Sequence, residues 1–322
     1  MNVLVPVNDR AALPRYVRAG GREFYMGFHD DAWHERFGDL ADLNRMTGFQ
    51  RLANPYSFDE VLSIADEMRR LGGKLYVTFN ANAYSQAQLD FLYGYFERLA
   101  EAGAAGAIVS VPEAVRPASD AGLEAVASTM CGIYNERIAR FYRDLGCTRA
   151  IIPRDVGLSE IEGIVAAVPE LEYEVFLMRN GCIFADGYCL GRHFRGRNAL
   201  CWDVRDVERE FFVDDAPELE QAARDNNRVY GSFHRTACGL CALWRLERAG
   251  VAAAKIVGRS DDASCIVRDI EAVVRNGEIA RACATEQDFL AQMFIPPDRA
   301  PTCRDGLGCY YPEVRFPDRP KD

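Results

Sequence analysis

Four cysteines in the second half of the chain have the residue type and spacing to hold a metal centre. Six residues separate the first two, eleven separate the next two and the last follows later: Cys182, Cys189, Cys201 and Cys238. Thiolates gathered by one irregular segment usually bind a soft metal ion, bind an iron–sulfur cluster or form disulfides. One loop can deliver three of them and a later element the fourth, which gives the four ligands that a [4Fe–4S] cube needs.

Other assignments of these and the remaining cysteines stay open. Structural zinc sites usually use cysteine pairs only a few residues apart, so the wider spacing favours a cluster over zinc. Cys241 competes with Cys238 for the fourth place, because Cys238-Gly-Leu-Cys241 is also a C-x-x-C pair. Apolar surroundings predict ordinary buried thiols at Cys131, Cys147 and Cys265.

Three cysteines occur close to the C-terminus: Cys283, Cys303 and Cys309. Two interpretations of this region remain, a docked tail that carries a few thiols and a second metal site. The first is the simpler one and is the prediction adopted here.

Short apolar runs alternate with helical patterns along most of the chain. The period of apolar residues predicts a helix that starts after Ser57 as N-cap and ends at Gly72, between the strands Glu23–Met26 and Lys74–Phe79. About seven or eight such units favour a TIM-like α/β barrel of parallel strands. A doubly wound sheet is the alternative.

The alternation breaks after Met178 and returns near Leu240. We therefore expect an incomplete barrel in which a cysteine-rich, cluster-binding insertion replaces one helix. The predicted organisation is a barrel over residues 1–277, with the cluster-binding segment at 178–241, followed by a tail at 278–322 that packs on the barrel.

Several polar residues are predicted at the carboxyl ends of the strands, where barrels of this kind hold their chemistry. The planar fork of Arg154 could bind a carboxylate at two points, or form a structural salt bridge. Lys255 and Arg259 bracket another strand end and could serve a dianionic ligand. Asn80 and Asn135 could orient a ligand, although capping of a helix explains them equally well.

Composition limits the classes of function. The chain has 322 residues, of which 49% are hydrophobic, and a formal net charge of −10. It can bury one large core, and disorder is not expected. The negative charge opposes contacts to phosphates, so a nucleic-acid substrate is not expected. Neither a signal peptide nor an apolar stretch long enough to span a membrane is evident, which predicts a cytoplasmic protein.

Several residues stand in the order of a known family pattern, E-x-F-x-H-G-A-x-C followed by S-G-x-C. The matching positions here are Glu174, Phe176, Cys182, Gly187 and Cys189, with further matches at Asn80, Ser128-Thr129, Asn135, Arg154 and Lys255–Arg259. On these motifs the chain resembles the collagenase-like peptidase family of unknown catalytic type over roughly residues 2–275. It departs from the pattern at Met178-Arg179-Asn180, where the family has His-Gly-Ala, at Asp155, where the family has Glu, and at Val257, where the family has an acidic residue.

The resemblance implies a function. Several members of that family are oxygen-independent hydroxylases that carry a [4Fe–4S] cluster and take the oxygen atom from prephenate, and some act as paired subunits. The implied function is therefore hydroxylation of a small or hydrophobic aromatic molecule, with prephenate as co-substrate and a heteromeric partner of the same family.

Two alternatives are a peptidase, as the family label suggests, and a non-catalytic subunit that carries the cluster. A metallopeptidase motif such as H-E-x-x-H is absent from the sequence, and no activated Ser or Cys with an oriented base is evident. The hydroxylase is therefore the preferred prediction.

Overall fold

Eight parallel strands form a closed barrel at the centre of the computed structural model. The structure describes residues 1–39, 41–46, 53–182, 185–186, 233, 235–306 and 308–314. The strands are β1 Asn2–Pro6, β2 Glu23–Met26, β3 Lys74–Phe79, β4 Gly106–Val109, β5 Glu124–Ala127, β6 Arg149–Ile151, β7 Glu172–Met178 and β8 Ala253–Ile256. They are short, and most of their residues are buried.

Each strand pairs with the next in parallel, and the last strand returns to the first. Closure is made by β8 on β1, with Asn2 opposite Ala253 and Leu4 opposite Lys255. The predicted TIM-like barrel is confirmed, and the doubly wound alternative is excluded because this sheet has no open edge. The expectation of an incomplete barrel is wrong, since the strand that follows the cysteine segment completes the circle.

Helices surround the barrel. They are α1 Leu13–Ala19, α2 Asp31–Phe37, α3 Phe58–Arg70, α4 Gln86–Glu101, α5 Val115–Asp120, α6 Glu136–Leu145, α7 Leu158–Ala167, α8 Leu243–Ala249, α9 Ala263–Ala282, α10 Glu286–Gln292 and α11 Ala300–Asp305. The predicted N-cap at Ser57 is confirmed, because its side chain and that of Glu60 form a reciprocal capping box. The apolar positions of α3, among them Val61 and Met68, are buried.

Helix α9 is the longest of the described helices and runs without a break from Ala263 to Ala282. Asn276-Gly277 has the composition of a helix end, yet the Asn276 amide donates to the carbonyl oxygens of Ala272 and Phe294 at 2.9 and 2.8 Å. These buried hydrogen bonds let the helix pass through a sequence that usually stops one. The predicted division after residue 277 falls inside α9, and the division into barrel and tail stays a prediction.

A buried ion pair closes the amino-terminal end of the barrel. Arg149 donates from two guanidinium nitrogens to the two carboxylate oxygens of Glu23, at 2.5 and 3.0 Å, and both side chains are 2% exposed. Glu172 accepts from the same guanidinium at 2.6 Å, and the ring of Tyr76 lies 5.0 Å from it. The strand starts are thus held together by charge-assisted hydrogen bonds.

Among the described helices, none combines the length and the apolar character that a bilayer crossing requires.

We expect Arg149→Ala to lower the free energy of unfolding by about 3 kcal/mol or more, because it leaves the Glu23 carboxylate buried without its partner. Urea unfolding under reducing conditions measures the loss. Arg143→Ala is the matched control, since Arg143 pairs with Glu170 on the outer surface and should have a much smaller effect. Equal losses in the two variants would contradict the role given to the Arg149–Glu23 pair.

Candidate functional site

The carboxyl end of the barrel gathers the three cations predicted from the sequence. Lys255 lies on β8, Arg259 follows β8 and Arg154 follows β6. Removal from water lowers the pKa of Lys255, and the nearby guanidinium groups of Arg259 and Arg154 add to this effect, while Glu174 opposes it. These three charges therefore share one environment, and Arg45 joins them because it donates to the same carboxylate as Arg154. We call the four the mouth cluster: Arg45, Arg154, Lys255 and Arg259.

Lys255 is held inside the barrel by a carboxylate on the neighbouring strand. Its ammonium group donates to Glu174 Oε1 over 2.6 Å and lies 4.0 Å from the centre of the Tyr25 ring. Glu174 is 1% exposed. The pair satisfies two charges that would be costly to bury singly, and the aromatic face adds a favourable contact.

Arg154 makes its strongest contacts with Asp186. One guanidinium nitrogen donates to both carboxylate oxygens of Asp186, at 2.5 and 2.6 Å, and the guanidinium lies 3.7 Å from the centre of the Phe176 ring. Arg45 donates to the same carboxylate at 3.1 Å. Burial by itself would raise the pKa of Asp186, but Arg154 and Arg45 outweigh it and lower the pKa to about 2.

Asp186 was not predicted from the sequence, because it lies in the irregular cysteine segment and has no periodic pattern around it. The one available signal was its position: it stands at the Ser of the S-G-x-C motif, just before Gly187. The Asp186 carboxylate links the cysteine segment to the barrel through Arg154. Arg154 therefore already has a counter-charge inside the protein.

Arg259 has a different environment. Its two terminal nitrogens donate to Asn54 Oδ1 at 3.2 Å and to Thr78 Oγ1 at 3.1 Å. Within the described ranges, no carboxylate forms an ion pair with it. Removal from water lowers its pKa, and Arg45 contributes in the same direction. Arg259 is thus a guanidinium held by neutral groups, beside other cations.

Gly27 makes room for this arrangement at the end of β2. A Cβ atom at this position would lie 2.8 Å from Arg259 Nη1 and 3.0 Å from Thr78 Oγ1. Those separations are shorter than normal van der Waals contacts. Only glycine therefore lets Arg259 approach the barrel backbone so closely.

The two predicted asparagines have separate places. Asn80 is 8% exposed. Its amide oxygen accepts from the backbone N–H of Arg45 at 3.1 Å, and its amide nitrogen donates to Ser128 Oγ at 3.4 Å. Asn80 therefore positions the backbone that carries Arg45. Asn135 is exposed and caps α6 by accepting from the N–H groups of Arg137 and Ile138. Its contacts are those of a helix cap.

Two of the four predicted cluster ligands can be described. Cys182 lies near enough to the Arg154 guanidinium and the Tyr310 hydroxyl for its negative charge to raise the pKa of both groups. The backbone of Cys238 pairs with that of Met178, at the end of β7, as in antiparallel strands. Burial raises the pKa of the Cys238 thiol to about 12. Cys189 and Cys201 lie outside the described residues. In the part of the chain that is described, no three Cys, His, Asp or Glu side chains converge as a ready metal site.

The C-terminal segment lies against the mouth of the barrel. The sequence predicted that a tail packs on the barrel but not where it does so. The Tyr310 hydroxyl donates to the Arg179 carbonyl at 2.5 Å, and the Tyr311 hydroxyl donates to the Phe176 carbonyl at 2.9 Å. Both tyrosines are 5% exposed. The two tyrosines thereby cover the end of β7, and backbone hydrogen bonds on either side of Cys309 place it beside Cys238.

Curated relatives of the chain are named for hydroxylation of RNA. It is 26% identical over 155 residues to tRNA hydroxylation protein P1 of Bacillus subtilis (strain 168), which covers 47% of this chain and 36% of the relative. It is 24% identical over 335 residues to the 23S rRNA 5-hydroxycytidine C2501 synthase of Escherichia coli (strain K12), which covers 99% of this chain and 46% of the relative. The chain thus spans less than half the length of these relatives.

These names correct two predictions, the small-molecule substrate and the exclusion of nucleic acid. The exclusion rested on the net charge of −10. That sum describes the whole surface, whereas salt screens charges beyond about 10 Å, so the local potential at the mouth is set by its own cations. Net charge was the wrong quantity for this question.

The family of the chain follows from the match of a family model. The solved structure of the U32 peptidase Mk0906 aligns with 55% of this chain and 69% of its own, at 15% identity and a TM-score of 0.43, which is too low for a comparison of sites. The family model described as Peptidase family U32 matches residues 23–288. The chain therefore belongs to peptidase family U32, which confirms the resemblance found in its motifs.

Proposed function

We propose that this chain is a hydroxylase that acts on a nucleoside of RNA at the carboxyl end of its barrel. The observation that carries the proposal is the alignment with an rRNA 5-hydroxycytidine synthase over 99% of the chain. The tRNA hydroxylation relatives support the same reaction type on a second class of RNA. Hydroxylation here means replacement of a C–H bond of the base by C–OH.

The electrostatics of the mouth support an anionic ligand. Among the described residues, the mouth cluster places four basic side chains beside two carboxylates, those of Glu174 and Asp186. Within that part of the chain the local balance of charge is positive, opposite in sign to the whole molecule, which carries −10. Phosphate groups of RNA and carboxylates of a co-substrate would both be attracted to such a site.

Arg259 is the residue best suited to bind a carboxylate of the co-substrate. Among the described residues, its guanidinium donates to the neutral acceptors Asn54 and Thr78 and lies 5.5 Å from the centre of the Tyr25 ring. A carboxylate would add charge-assisted hydrogen bonds without displacing an internal acid. By resemblance the co-substrate is prephenate, which would supply the oxygen atom, and the rings of Tyr25 and Phe176 offer apolar contact to its carbon skeleton.

A [4Fe–4S] cluster held by Cys182, Cys189, Cys201 and Cys238 is part of the proposal. Such a cluster supplies one-electron transfer when it is bound. The described residues suit it in one respect: Arg154, which Asp186 already pairs, is near enough to Cys182 for the two charges to interact. The tyrosine rings that cover the end of β7 would exclude water from that side.

Peptidase activity is not proposed. In the part of the chain that the structure describes, His29 and His34 each face a backbone carbonyl oxygen through Nδ1, and no Ser or Cys side chain is hydrogen-bonded to the other nitrogen of either ring. Hydrolysis of a peptide by a nucleophile needs such a base.

The RNA proposal is tested by mass spectrometry of nucleosides from tRNA and rRNA. Cells that lack the chain should lose one nucleoside that is heavier than its parent by one oxygen atom. The wild type and Arg116→Ala, which alters an exposed arginine on α5, should restore it, whereas Arg259→Ala should not. Identical nucleoside profiles with and without the chain would refute the function.

Binding of the co-substrate is tested by calorimetry with prephenate. We expect Arg259→Ala to weaken binding at least about tenfold, or ~1.4 kcal/mol, the scale of a charge-assisted hydrogen bond. Arg259→Lys should recover only part of the loss, because an ammonium lacks the planar fork. Arg116→Ala again serves as the control. Equal affinity of wild type and Arg259→Ala would remove Arg259 from the site.

Asp186→Asn should increase the affinity for prephenate. The substitution keeps the size of the side chain but removes the charge that neutralises Arg154 and Arg45, so both attract an external carboxylate more strongly. Asp144→Asn, at an exposed position on α6, should change nothing. Unchanged affinity in folded Asp186→Asn would show that its charge does not act on the ligand.

A further inference from the structure

Lys255 carries a buried amine that points into the interior of the barrel. The residue lies on β8, yet its ammonium nitrogen is 4.0 Å from the centre of the Tyr25 ring on β2, and β1 stands between these two strands. In a closed barrel, a contact that skips a strand crosses the interior. The same nitrogen is 2.6 Å from Glu174 Oε1 and 5.9 Å from the centre of the Phe176 ring, both on β7. Lys255, which is 6% exposed, therefore presents its amine to the inside of the mouth.

The chain rarely uses lysine. Among its 38 lysine and arginine residues only three are lysines: Lys74, Lys255 and Lys321. At the amino-terminal end of the same barrel, the buried carboxylate of Glu23 is paired with Arg149. Because arginine supplies the charge there, a purely structural partner for Glu174 would not require lysine. Lysine adds an amine that can lose its proton and act as a nucleophile, which a guanidinium does not do in proteins.

The surroundings of Lys255 favour the neutral amine. Removal from water lowers the pKa of Lys255, and the cations Arg259 and Arg154 act in the same direction, while Glu174 opposes them. A lysine that is removed from water beside other cations is activated for attack on carbonyl carbon. Glu174 accepts a hydrogen bond from the ammonium group, so it can also take its proton. That transfer turns a buried ion pair into a neutral pair.

A group that can bind a carboxylate lies beside this amine. The Arg259 guanidinium is 5.5 Å from the centre of the Tyr25 ring, so Arg259 and Lys255 lie against the same ring. Arg259 donates to the neutral acceptors Asn54 and Thr78. A ligand whose carboxylate is bonded directly to a carbonyl carbon could place the carboxylate at Arg259 and the carbonyl at Lys255. An α-keto acid has this structure, and prephenate is an α-keto acid.

We propose that Lys255 forms an imine with the carbonyl carbon of an α-keto acid whose carboxylate is bound by Arg259. The ammonium group first gives a proton to Glu174, and the neutral amine adds to the carbonyl carbon. A second proton then moves from the nitrogen to the former carbonyl oxygen. Glu174 returns its proton to that oxygen, which leaves as water, and a protonated C=N bond remains. No atom is oxidised or reduced.

The imine goes beyond the proposed hydroxylation, because it is a covalent bond between this chain and a ligand. It rests on the proposed function only in the placement of the carboxylate at Arg259. The positive C=N group withdraws electrons from the carbon beside it, so Lys255 would activate the bound acid for chemistry at that carbon.

Reductive trapping tests the proposal. The full chain, purified without oxygen, is incubated at neutral pH with cyanoborohydride and either pyruvate or prephenate, and its peptides are analysed by mass spectrometry. The peptide with Lys255 should gain the mass of the acid less one oxygen atom. Lys74 is an internal control, because it is also paired with a glutamate, Glu124 at 3.0 Å, but is 53% exposed. Lys255 should carry at least about tenfold more label than Lys74. No label at Lys255 with either acid, or equal labelling of the two lysines, overturns the proposal.

Variants that stay folded, as judged by circular dichroism, test the roles of the pair. The intact Lys255→Arg protein, which keeps the charge opposite Glu174, should gain no adduct, whereas Lys74→Arg should gain as much as the wild type. Glu174→Gln keeps the size of the side chain but cannot protonate the leaving oxygen, so it should slow trapping at least about tenfold. Glu124→Gln is its matched control. Trapping at the wild-type rate in Glu174→Gln would contradict the proton transfers given to Glu174.

The trapping result is independent of the test for RNA hydroxylation. Label at Lys255, together with nucleoside profiles that do not depend on the chain, would support the imine and refute the proposed function. An unlabelled Lys255 in a chain that does restore the heavier nucleoside would refute the imine alone.

Discussion

The structure depends on neutralising charges that are buried inside a barrel. An unpaired buried charge costs several kcal/mol, so each one needs a partner or a ligand. Buried or nearly buried basic side chains have carboxylate partners on other elements: Arg149 with Glu23, Lys255 with Glu174, Arg154 with Asp186, and both Arg179 and Arg299 with Asp269. The Arg149 pair lies at the amino-terminal end of the barrel, and the Lys255 and Arg154 pairs lie at its mouth. Arg259 follows a different rule, with neutral partners alone among those described.

The end of β7 is where barrel, cysteine segment and tail meet. Arg179 and Asn180 have positive φ angles of 64° and 46°, which non-glycine residues rarely adopt. The Arg179 side chain forms an ion pair with Asp269, and the Tyr310 hydroxyl donates to the carbonyl oxygen of Arg179. These contacts hold an unfavourable backbone conformation in place, which fixes the direction in which the chain leaves the barrel toward Cys182.

The tail therefore contributes to the site as well as to stability. Its two tyrosines bond to carbonyl oxygens at the end of β7, and Arg299 shares the carboxylate of Asp269 with Arg179. An element far along the sequence thereby covers the same strand end that carries Glu174 and Phe176. A barrel of parallel strands makes this convergence simple, because every strand ends at the same rim.

The sequence by itself determined the barrel and the residue types at its mouth. Short apolar strands that alternate with amphipathic helices predicted the fold, since each element carries its own period, and arginine and lysine at strand ends had to meet at one rim. The tertiary structure alone decided which of them were neutralised. Asp186 reaches Arg154 and Arg45 across long stretches of chain, and the backbone of Cys309 pairs with that of Cys238. Such contacts join residues that have no periodic relation in the sequence, so only the folded chain could assign them.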